Sequence, residues 1–406
     1  KILRSTYSGF EGALYGSIGY TVSISDDGVT IVSGSYSFSA KVFTKQSNGN
    51  YTLTNQLMHS NVTSLQQLSA CRNVSISKDG LVIAASAPAY FFSRGGAALW
   101  YKNVNDGTWN ESIVASTSSF SMGGANLSSS SISMSSTTAV GSGSFPCLYI
   151  CISHTTHNNI GAAVVIQLNT TDISNLVKAN EVVIQPSSIV NFGKSSFVTY
   201  DGTKVIIGAN YEDITGTFSD SKIYMFERTT STDNTWTELT PITWPTGELS
   251  NNDSVTTGFG SSLAMVRGNN NWVLAGATEV DYEVGCVFDL TPGGTPEYKK
   301  LQPNEILGTG SVYISTSGQG RDIKSNTTNG NILVSSGMLH KNNTGAIWLF
   351  ENSTGIENGG VFSQVYTNTT FLEGASNGDY FGHAIDLYDP NLSYIYICVS
   401  SIGINT

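Results

Sequence analysis

Acidic residues at predicted hairpin tips are the first candidates for chemistry in this chain. Asp26 and Asp27 stand in Ser25-Asp26-Asp27-Gly28, and similar turns read Lys78-Asp79-Gly80, Tyr200-Asp201-Gly202 and Asp389-Pro390-Asn391. Calcium needs several oxygen ligands spaced along one such loop. None of these turns has the Asp-X-Asp-X-Asp-Gly spacing that would supply them. We expect turn-forming carboxylates and predict no metal ligand, while calcium at Asp26 and Asp27 stays an open alternative.

Histidines give no stronger signal. His154-Thr155-Thr156-His157 could bring two imidazoles towards a metal, and Cys151 lies upstream, but no carboxylate at suitable spacing joins them. The other histidines are isolated, at His59, His340 and His383. The chain has no Gly-X-Ser-X-Gly elbow, phosphate loop or His-Glu-X-X-His motif. The sequence therefore predicts no catalytic, cofactor-binding or metal-binding residue, and a protein that is not an enzyme.

The five cysteines give no disulfide framework. They are Cys71, Cys147, Cys151, Cys286 and Cys398, an odd number. Cys147 and Cys151 share one face of a predicted strand, but four residues of extended chain separate them too far for a bond. We expect most of these thiols to be buried and unpaired.

Asn-X-Ser/Thr sequons are frequent. There are twelve, and we exclude Asn73 and Asn126 as glycosylation candidates because the other ten fall in predicted loops or outer strands, where a glycan is tolerated. The ten candidates are Asn50, Asn61, Asn110, Asn169, Asn252, Asn326, Asn342, Asn352, Asn368 and Asn391. Covalent N-glycans would place the protein outside the cell or on its surface.

Composition excludes several classes of protein. Charged residues make up 12% of the 406 residues, whereas Ser and Thr number 98. The net charge is −11, and no basic stripe suggests nucleic acid. No apolar run approaches the roughly 18 residues of a membrane span. The first residue is Lys1, without a signal-peptide core, so we expect a processed product.

A repeated hairpin is the strongest signal for the fold. Residues 22–34 and 74–86 both read as strand, Asp-Gly turn and strand, with the period of two expected of a sheet. The unit recurs around 197–208 and 263–276. A third strand follows each hairpin, and a more polar fourth strand closes the unit, as at 51–57, 108–114, 182–185, 235–239, 297–301 and 362–366. Four antiparallel strands per unit are typical of a propeller blade.

The sequence thus predicts an all-β, single-domain, seven-bladed β-propeller over residues 1–406. The expected blades are 16–67, 68–120, 121–188, 189–254, 255–306, 307–373, and 374–406 together with 1–15. The last blade is shared by the two termini, with Lys1–Arg4 as its fourth strand, and its third strand is missing. Residues outside this chain, or a wrongly assigned fourth strand, would explain the gap; so would a strand donated by a neighbouring subunit.

These units resemble FG-GAP repeats, as in the head of integrin α-subunits and many secreted proteins. The naming dipeptide stands at Phe192-Gly193, Phe259-Gly260 and Phe381-Gly382, with a variant at Ile18-Gly19. The second half of the motif is represented by Gly208-Ala209-Asn210 and similar segments. The resemblance covers nearly the whole chain, and residues 121–188 depart from it most. It implies an extracellular adhesion or recognition module.

We therefore expect a secreted structural glycoprotein that associates with copies of itself, into a filament or a surface coat, by strand donation to the seventh blade. The first alternative is an adhesion propeller that binds protein or glycan through aromatic residues of the loops after each second strand, namely Tyr36, Phe91, Phe92, Tyr211 and Tyr282. The second alternative is a propeller enzyme acting on polysaccharide, with carboxylates clustered at the propeller axis.

Overall fold

The computed structural model describes most of the strands and the tighter turns of the chain. The described residues are 18–35, 39–58, 71, 73–86, 97–112, 131–137, 139–140, 146–154, 161–185, 192–209, 221–228, 235–243, 259–265, 272–277, 284–289, 297–301, 319–325, 332–337, 344–351, 367–391 and 394–401. The fold is all-β, and the one helical element in these ranges is a 3-10 turn at Ile173–Asn175.

The first three sheets follow one another along the chain. The first contains β1 (Ile18–Ile24), β2 (Thr30–Ser35), β3 (Ser39–Lys45) and β4 (Tyr51–Met58). The second contains β5 (Val74–Ile76), β6 (Val82–Ser86), β7 (Ala97–Lys102) and β8 (Trp109–Ser112). The third contains β9 (Ser131–Met134), β10 (Ala139–Val140), β11 (Pro146–His154), β12 (Ala162–Asn169) and β13 (Val177–Ile184).

The remaining sheets continue the pattern. The fourth contains β14 (Phe192–Val198), β15 (Lys204–Ala209), β16 (Lys222–Arg228), β17 (Trp236–Glu238) and β18 (Ile242–Thr243). The fifth contains β19 (Phe259–Met265), β20 (Trp272–Ala277), β21 (Val284–Asp289) and β22 (Glu297–Leu301), and the sixth contains β23 (Gln319–Ser325), β24 (Ile332–Gly337), β25 (Ala346–Glu351) and β26 (Thr367–Glu373). The seventh contains β27 (Ile385–Asn391) and β28 (Tyr394–Val399).

These sheets form the blades of a β-propeller, with antiparallel strands in chain order from the channel outwards. The inner strands β1, β5, β9, β14, β19, β23 and β27 pack on one another in that order, and β27 packs on β1. Clusters of buried apolar side chains lie between consecutive sheets from the first to the seventh. Alternation along each strand supplies them, because a buried sheet turns one set of side chains towards each neighbouring blade.

The predicted blades of four antiparallel strands are confirmed, whereas the predicted number of seven blades is not. Two sheets have five strands, because the first strand of the third sheet is broken between β9 and β10, and the last strand of the fourth sheet is broken before Ile242. Pro241 lies in the second break, and proline cannot donate to a ladder. The seventh sheet has two strands within the described residues, so these residues do not give seven complete blades.

Two predicted segments were also wrong. The outer strand of the sixth sheet is β26 at Thr367–Glu373 rather than 362–366, which lies outside the described residues. Its register, Ala346↔Glu373, brings a Thr-rich segment into the ladder. Asp389-Pro390-Asn391 is not a turn, since β27 continues to Asn391. A register irregularity between Tyr388 and Asn391 accommodates the proline.

The Phe-Gly dipeptides mark a β-bulge at the start of inner strands. The register shifts immediately after Phe192 and Phe259, and the glycines that follow have φ of +99° and +80°. This left-handed conformation favours glycine. In the second sheet Cys71 takes the corresponding position with φ of +72°. The bulge explains why the dipeptide recurs at the beginning of blades.

Candidate functional site

The seventh sheet presents an open edge. β27 and β28 pair through Ile385↔Val399 and Tyr388↔Tyr396. In the other sheets the second strand has a strand on each side, whereas β28 pairs with β27 alone among the residues that the structure describes. The predicted fourth strand of this blade, Lys1–Arg4, lies outside the described residues.

β28 is also less buried than the second strands of other sheets. Residues 82–86 of β6, 205–209 of β15 and 333–337 of β24 are all buried. Every residue at 395–399 of β28 is only half-buried. Ile395, Ile397 and Val399 are among them, so this edge leaves apolar surface exposed that a third strand would cover.

Aromatic contacts attach the seventh sheet to the first. The ring of Tyr388 lies against Gly28, where an added Cβ would come within 2.5 Å of it. Tyr388 stacks on Tyr396 with ring centroids 6.0 Å apart, and the ammonium of Lys45 lies 4.5 Å from the centroid of the Tyr396 ring. The described residues show no cluster of buried apolar side chains between these two sheets. Polar and aromatic contacts therefore carry this junction.

Two carboxylates join the seventh sheet to both of its neighbours at the channel wall. Asp322 Oδ2 accepts the backbone N–H of Ile385 at 3.0 Å, and Asp386 Oδ2 accepts that of Ile24 at 2.8 Å. The ammonium of Lys324 pairs with Asp322 Oδ1 at 2.7 Å. We call Asp322, Lys324 and Asp386 the carboxylate clasp.

Other blade junctions use hydroxyl groups for the same purpose. Val74 donates its backbone N–H to Thr21 Oγ1 at 2.9 Å, and Val198 donates to Ser133 Oγ at 3.1 Å. Hydrogen bonds to ionised acceptors are roughly twice as strong as those between neutral groups. Charged acceptors thus replace neutral ones on both sides of the sheet that has the fewest described strands.

Burial and neighbouring charges shift the pKa values of Asp386 and Lys324. It raises the pKa of Asp386, and the attraction of Lys324 and the hydrogen bonds from Ile24 and Leu387 offset only part of this effect. Burial also opposes the charge of Lys324, but the carboxylates of Asp322 and Asp386 outweigh it and raise the pKa of the ammonium. Lys324 therefore favours the charged form of Asp386 against burial and the nearby carboxylate of Asp322, and the two carboxylates favour the charged form of Lys324.

The clasp faces a central channel of about 400 Å³ lined by all seven inner strands. Its wall is rich in hydroxyl groups, such as those of Thr21, Ser75 and Ser133. Each oxygen of the two clasp carboxylates already accepts a structural hydrogen bond: Asp386 Oδ1 from Leu387 N and Asp322 Oδ1 from Lys324. All four oxygens of these carboxylates are therefore engaged at the junctions of the seventh sheet.

Each Asp-Gly turn uses one carboxylate oxygen internally, and Asp79 Oδ2 also accepts the hydroxyl of Thr137 from the third sheet. In three turns a hydroxyl donates to the Asp, and the same Asp oxygen accepts the backbone N–H two residues later. The hydroxyl bonds are Ser25–Asp27 at 2.5 Å, Ser77–Asp79 at 2.6 Å and Thr199–Asp201 at 2.6 Å. The described residues contain no group of three or more His, Cys, Asp or Glu that could hold a metal ion. The turn-forming role expected of these residues is confirmed.

The other predicted site residues have mixed outcomes. His383 is buried and contacts Tyr20 edge-on, with centroids 5.4 Å apart. His154 ends β11, and its side chain is outside the described part. The remaining residues also lie outside it, namely His59, His157, His340, Tyr36, Phe91, Phe92, Tyr211 and Tyr282. The structure therefore brings none of these loop aromatics into a described site.

Four sequons have described side chains. Asn50 is exposed in the turn before β4, and Asn110 is half-buried in β8. Asn169 is also half-buried, and its Oδ1 accepts the N–H of Thr171 at 2.8 Å. Asn73, which the sequence led us to exclude, lines the central channel. Asn368 lies in β26 and Asn391 in β27, and the structure describes their backbone only. The other six sequons lie outside the described residues, at Asn61, Asn126, Asn252, Asn326, Asn342 and Asn352.

The cysteines are thiols wherever their side chains are described. Cys71, Cys147 and Cys151 are buried, as expected, and Cys398 is half-buried. Burial raises the pKa of Cys71 and Cys151 to about 12. These groups are therefore protonated and unreactive at neutral pH.

Sequence reasoning missed the carboxylate clasp. Its residues fall two and four positions after Gly320 and four positions after Gly382. The first repeat has hydroxyl residues at the same two positions after Gly19, at Thr21 and Ser23. The sequence signal for the clasp is that charged residues stand at positions where another repeat has Ser or Thr.

The described residues contain no helix long and apolar enough to cross a membrane. No protein-family model matches the chain, and no curated protein matches it. Among solved structures, the chain is similar to that of U3-55K, with a TM-score of 0.52 and 9% sequence identity over 92% of this chain and 86% of that one. At this identity the likeness shows the β-propeller fold alone.

Proposed function

We propose that this protein is a secreted structural glycoprotein that self-associates through its seventh blade. In this proposal the ring has seven blades, and the last combines β27, β28 and the N-terminal strand Lys1–Arg4. A strand from a neighbouring copy fills the third position, beside β28. The half-buried state of β28, where equivalent strands are buried, is the observation that carries the proposal.

We expect strand donation to give a modest free energy of association. A ladder hydrogen bond contributes about 1 kcal/mol net. Covering Ile395, Ile397 and Val399 would add at most roughly 1.5–3 kcal/mol each, because they are already half-buried. Association costs some 4–15 kcal/mol. The gain and the cost are of similar size, so additional surface contacts would decide how firmly copies hold together.

Composition supports an extracellular structural role. The chain is rich in hydroxyl groups and poor in charge, with 98 Ser and Thr among 406 residues and 12% charged residues. Twelve sequons offer sites for glycans. The FG-GAP resemblance of the repeats agrees with the same compartment. Head-to-tail donation that does not close into a ring produces a filament.

Electron microscopy of the protein from its natural source tests this proposal. We expect density for a strand beside β28 that traces to another copy. A monomer whose own chain completes the blade would overturn self-association by strand donation.

A pair of lysine variants adds a second test. Ile395→Lys places a charge at the half-buried edge and should lower the associated fraction. Val104→Lys is the matched control, because Val104 is 74% exposed in a distant turn. Equal association of both variants in analytical ultracentrifugation would contradict the role of β28.

A further inference from the structure

The outer strand β4 is a second edge that needs protection. It is the last strand of the first sheet and pairs with β3 alone among the described residues. Its eight residues, Tyr51–Met58, include no Asp, Glu, Lys or Arg. Thr52, Thr54, Gln56 and Met58 are exposed along it. A long, uncharged edge strand of this kind is a template for pairing with other chains.

Other outer strands carry charges that discourage such pairing. β22 has Glu297, Lys299 and Lys300 within five residues, and no sequon lies in it. β13 contains the ion pair between Lys178 and Glu181, at 2.7 Å. On β4 a bulge at Thr54, between the pairs Val42↔Asn55 and Phe43↔Leu53, supplies only a local irregularity. β4 therefore lacks the charge that its counterparts use.

A sequon stands directly at the start of this uncharged strand. Asn50 precedes Tyr51 and is exposed, and Thr52 completes the motif on β4 itself. The turn is held by Asn50 O, which accepts the N–H of Gln46 at 2.7 Å, and by Asn48 Oδ1, which accepts the N–H of Asn50 at 2.9 Å. Around Gly49 there is open space, with no atom within 4 Å of an added Cβ. The turn is thus hydrogen-bonded, and the side chain of Asn50 is exposed to solvent, where a glycan is tolerated.

We propose that Asn50 is glycosylated and that its glycan shields the edge of β4 against pairing with other copies. A hydrated glycan at the end of β4 blocks the approach of a second backbone. It thereby prevents edge pairing, as charged side chains do on other outer strands. Association is then directed to the edge of β28. The inference rests on the proposed function, because N-glycans require passage through the secretory route.

Two measurements on the full-length protein test the inference. Mass spectrometry of the secreted protein should show a glycan at Asn50. In the Ile395→Lys background, which suppresses association through β28, Asn50→Gln and Thr52→Val both remove the sequon and should shift monomer into large aggregates. Thr52→Lys removes the same glycan but adds a charge to β4, so it should remain dispersed.

The outcomes separate this inference from the proposed function. An unmodified Asn50 beside occupied sequons such as Asn110 or Asn169 would overturn the shielding role alone. Chains without glycan at any sequon would overturn the secreted function as well. Dispersed Asn50→Gln and Thr52→Val proteins, or an aggregated Thr52→Lys protein, would show that the glycan does not protect this edge.

Discussion

Replacing Asp386 with alanine should weaken the junction between the seventh and the first sheets more than any single hydroxyl deletion weakens another junction. Asp386 accepts the backbone N–H groups of Ile24 at 2.8 Å and of Leu387 at 2.9 Å. It also faces the ammonium of Lys324. The described residues place no apolar cluster at this junction, so the contacts of Tyr388 with Gly28 and of Tyr396 with Lys45 are the main described interactions left after its loss.

The magnitude follows from the donors left without an acceptor. Each buried N–H that loses its partner costs about 1–3 kcal/mol. Asp386→Ala strands two part-buried N–H groups, those of Ile24 and Leu387, and it also removes a carboxylate whose burial is unfavourable. We expect a net loss of about 3 kcal/mol. Ser133→Ala is the matched control, because it strands only the N–H of Val198, and should cost about 1 kcal/mol.

Hydrogen–deuterium exchange followed by mass spectrometry localises the effect. If the junction opens locally, a loss of about 3 kcal/mol accelerates exchange about 100-fold in peptides covering 18–24 and 385–399. Ser133→Ala should change exchange only around β9 and β14. Equal exchange at β1 and β27 in the Asp386→Ala and Ser133→Ala proteins would refute the clasp.

Two further outcomes are expected from the same structure. The pKa of Asp386 is raised above the roughly 3.9 of an unfolded chain, so just above that pH the folded state binds more protons than the unfolded state. The contribution of Asp386 to the free energy of unfolding therefore falls as the pH rises. Urea titrations at several pH values should show a smaller decrease of the free energy of unfolding with pH in Asp386→Asn, and an unchanged decrease would contradict this assignment. Gly345→Ala places a Cβ 2.0 Å from the carbonyl oxygen of Phe381 at φ of +81°, whereas Gly49→Ala, at φ of +84°, meets no atom within 4 Å. Thermal unfolding should therefore show Gly345→Ala to be the more destabilising, and equal midpoints would argue against close packing there.

The repeats were predictable because each blade encodes its own hairpin. Asp-Gly turns and period-two alternation identified β1 with β2 and β5 with β6 from local sequence alone. The third sheet was harder, since its first strand is broken and neither Phe-Gly nor Asp-Gly marks it. Breaks of this kind depend on pairing with the next strand, which local patterns do not contain.

The clasp could not be found by local reasoning, because its members are distant in sequence. Asp386 and Ile24 lie 362 residues apart and meet only when the ring closes. A carboxylate within a strand looks like a solvent-facing residue until the neighbouring strand is known. Comparing equivalent positions across repeats would have helped, since Asp322 stands where the first repeat has Thr21.

The carboxylate clasp is consistent with the proposed role of the β28 edge. In the proposed assembly, the seventh blade takes a strand from a neighbouring copy. It must then stay fixed in its own ring, because otherwise the load on the donated strand would pull β27 and β28 out together. Apolar packing supplies that attachment on the side of the sixth sheet, where Ile397 and Val399 contact its cluster. On the side of the first sheet the described contacts are aromatic, cation–π and hydrogen-bonding. The side chain of Asp386 accepts the backbone N–H of Ile24 across the junction. Charge-assisted hydrogen bonds are strong and directional, so they suit a junction that must hold without a large apolar area.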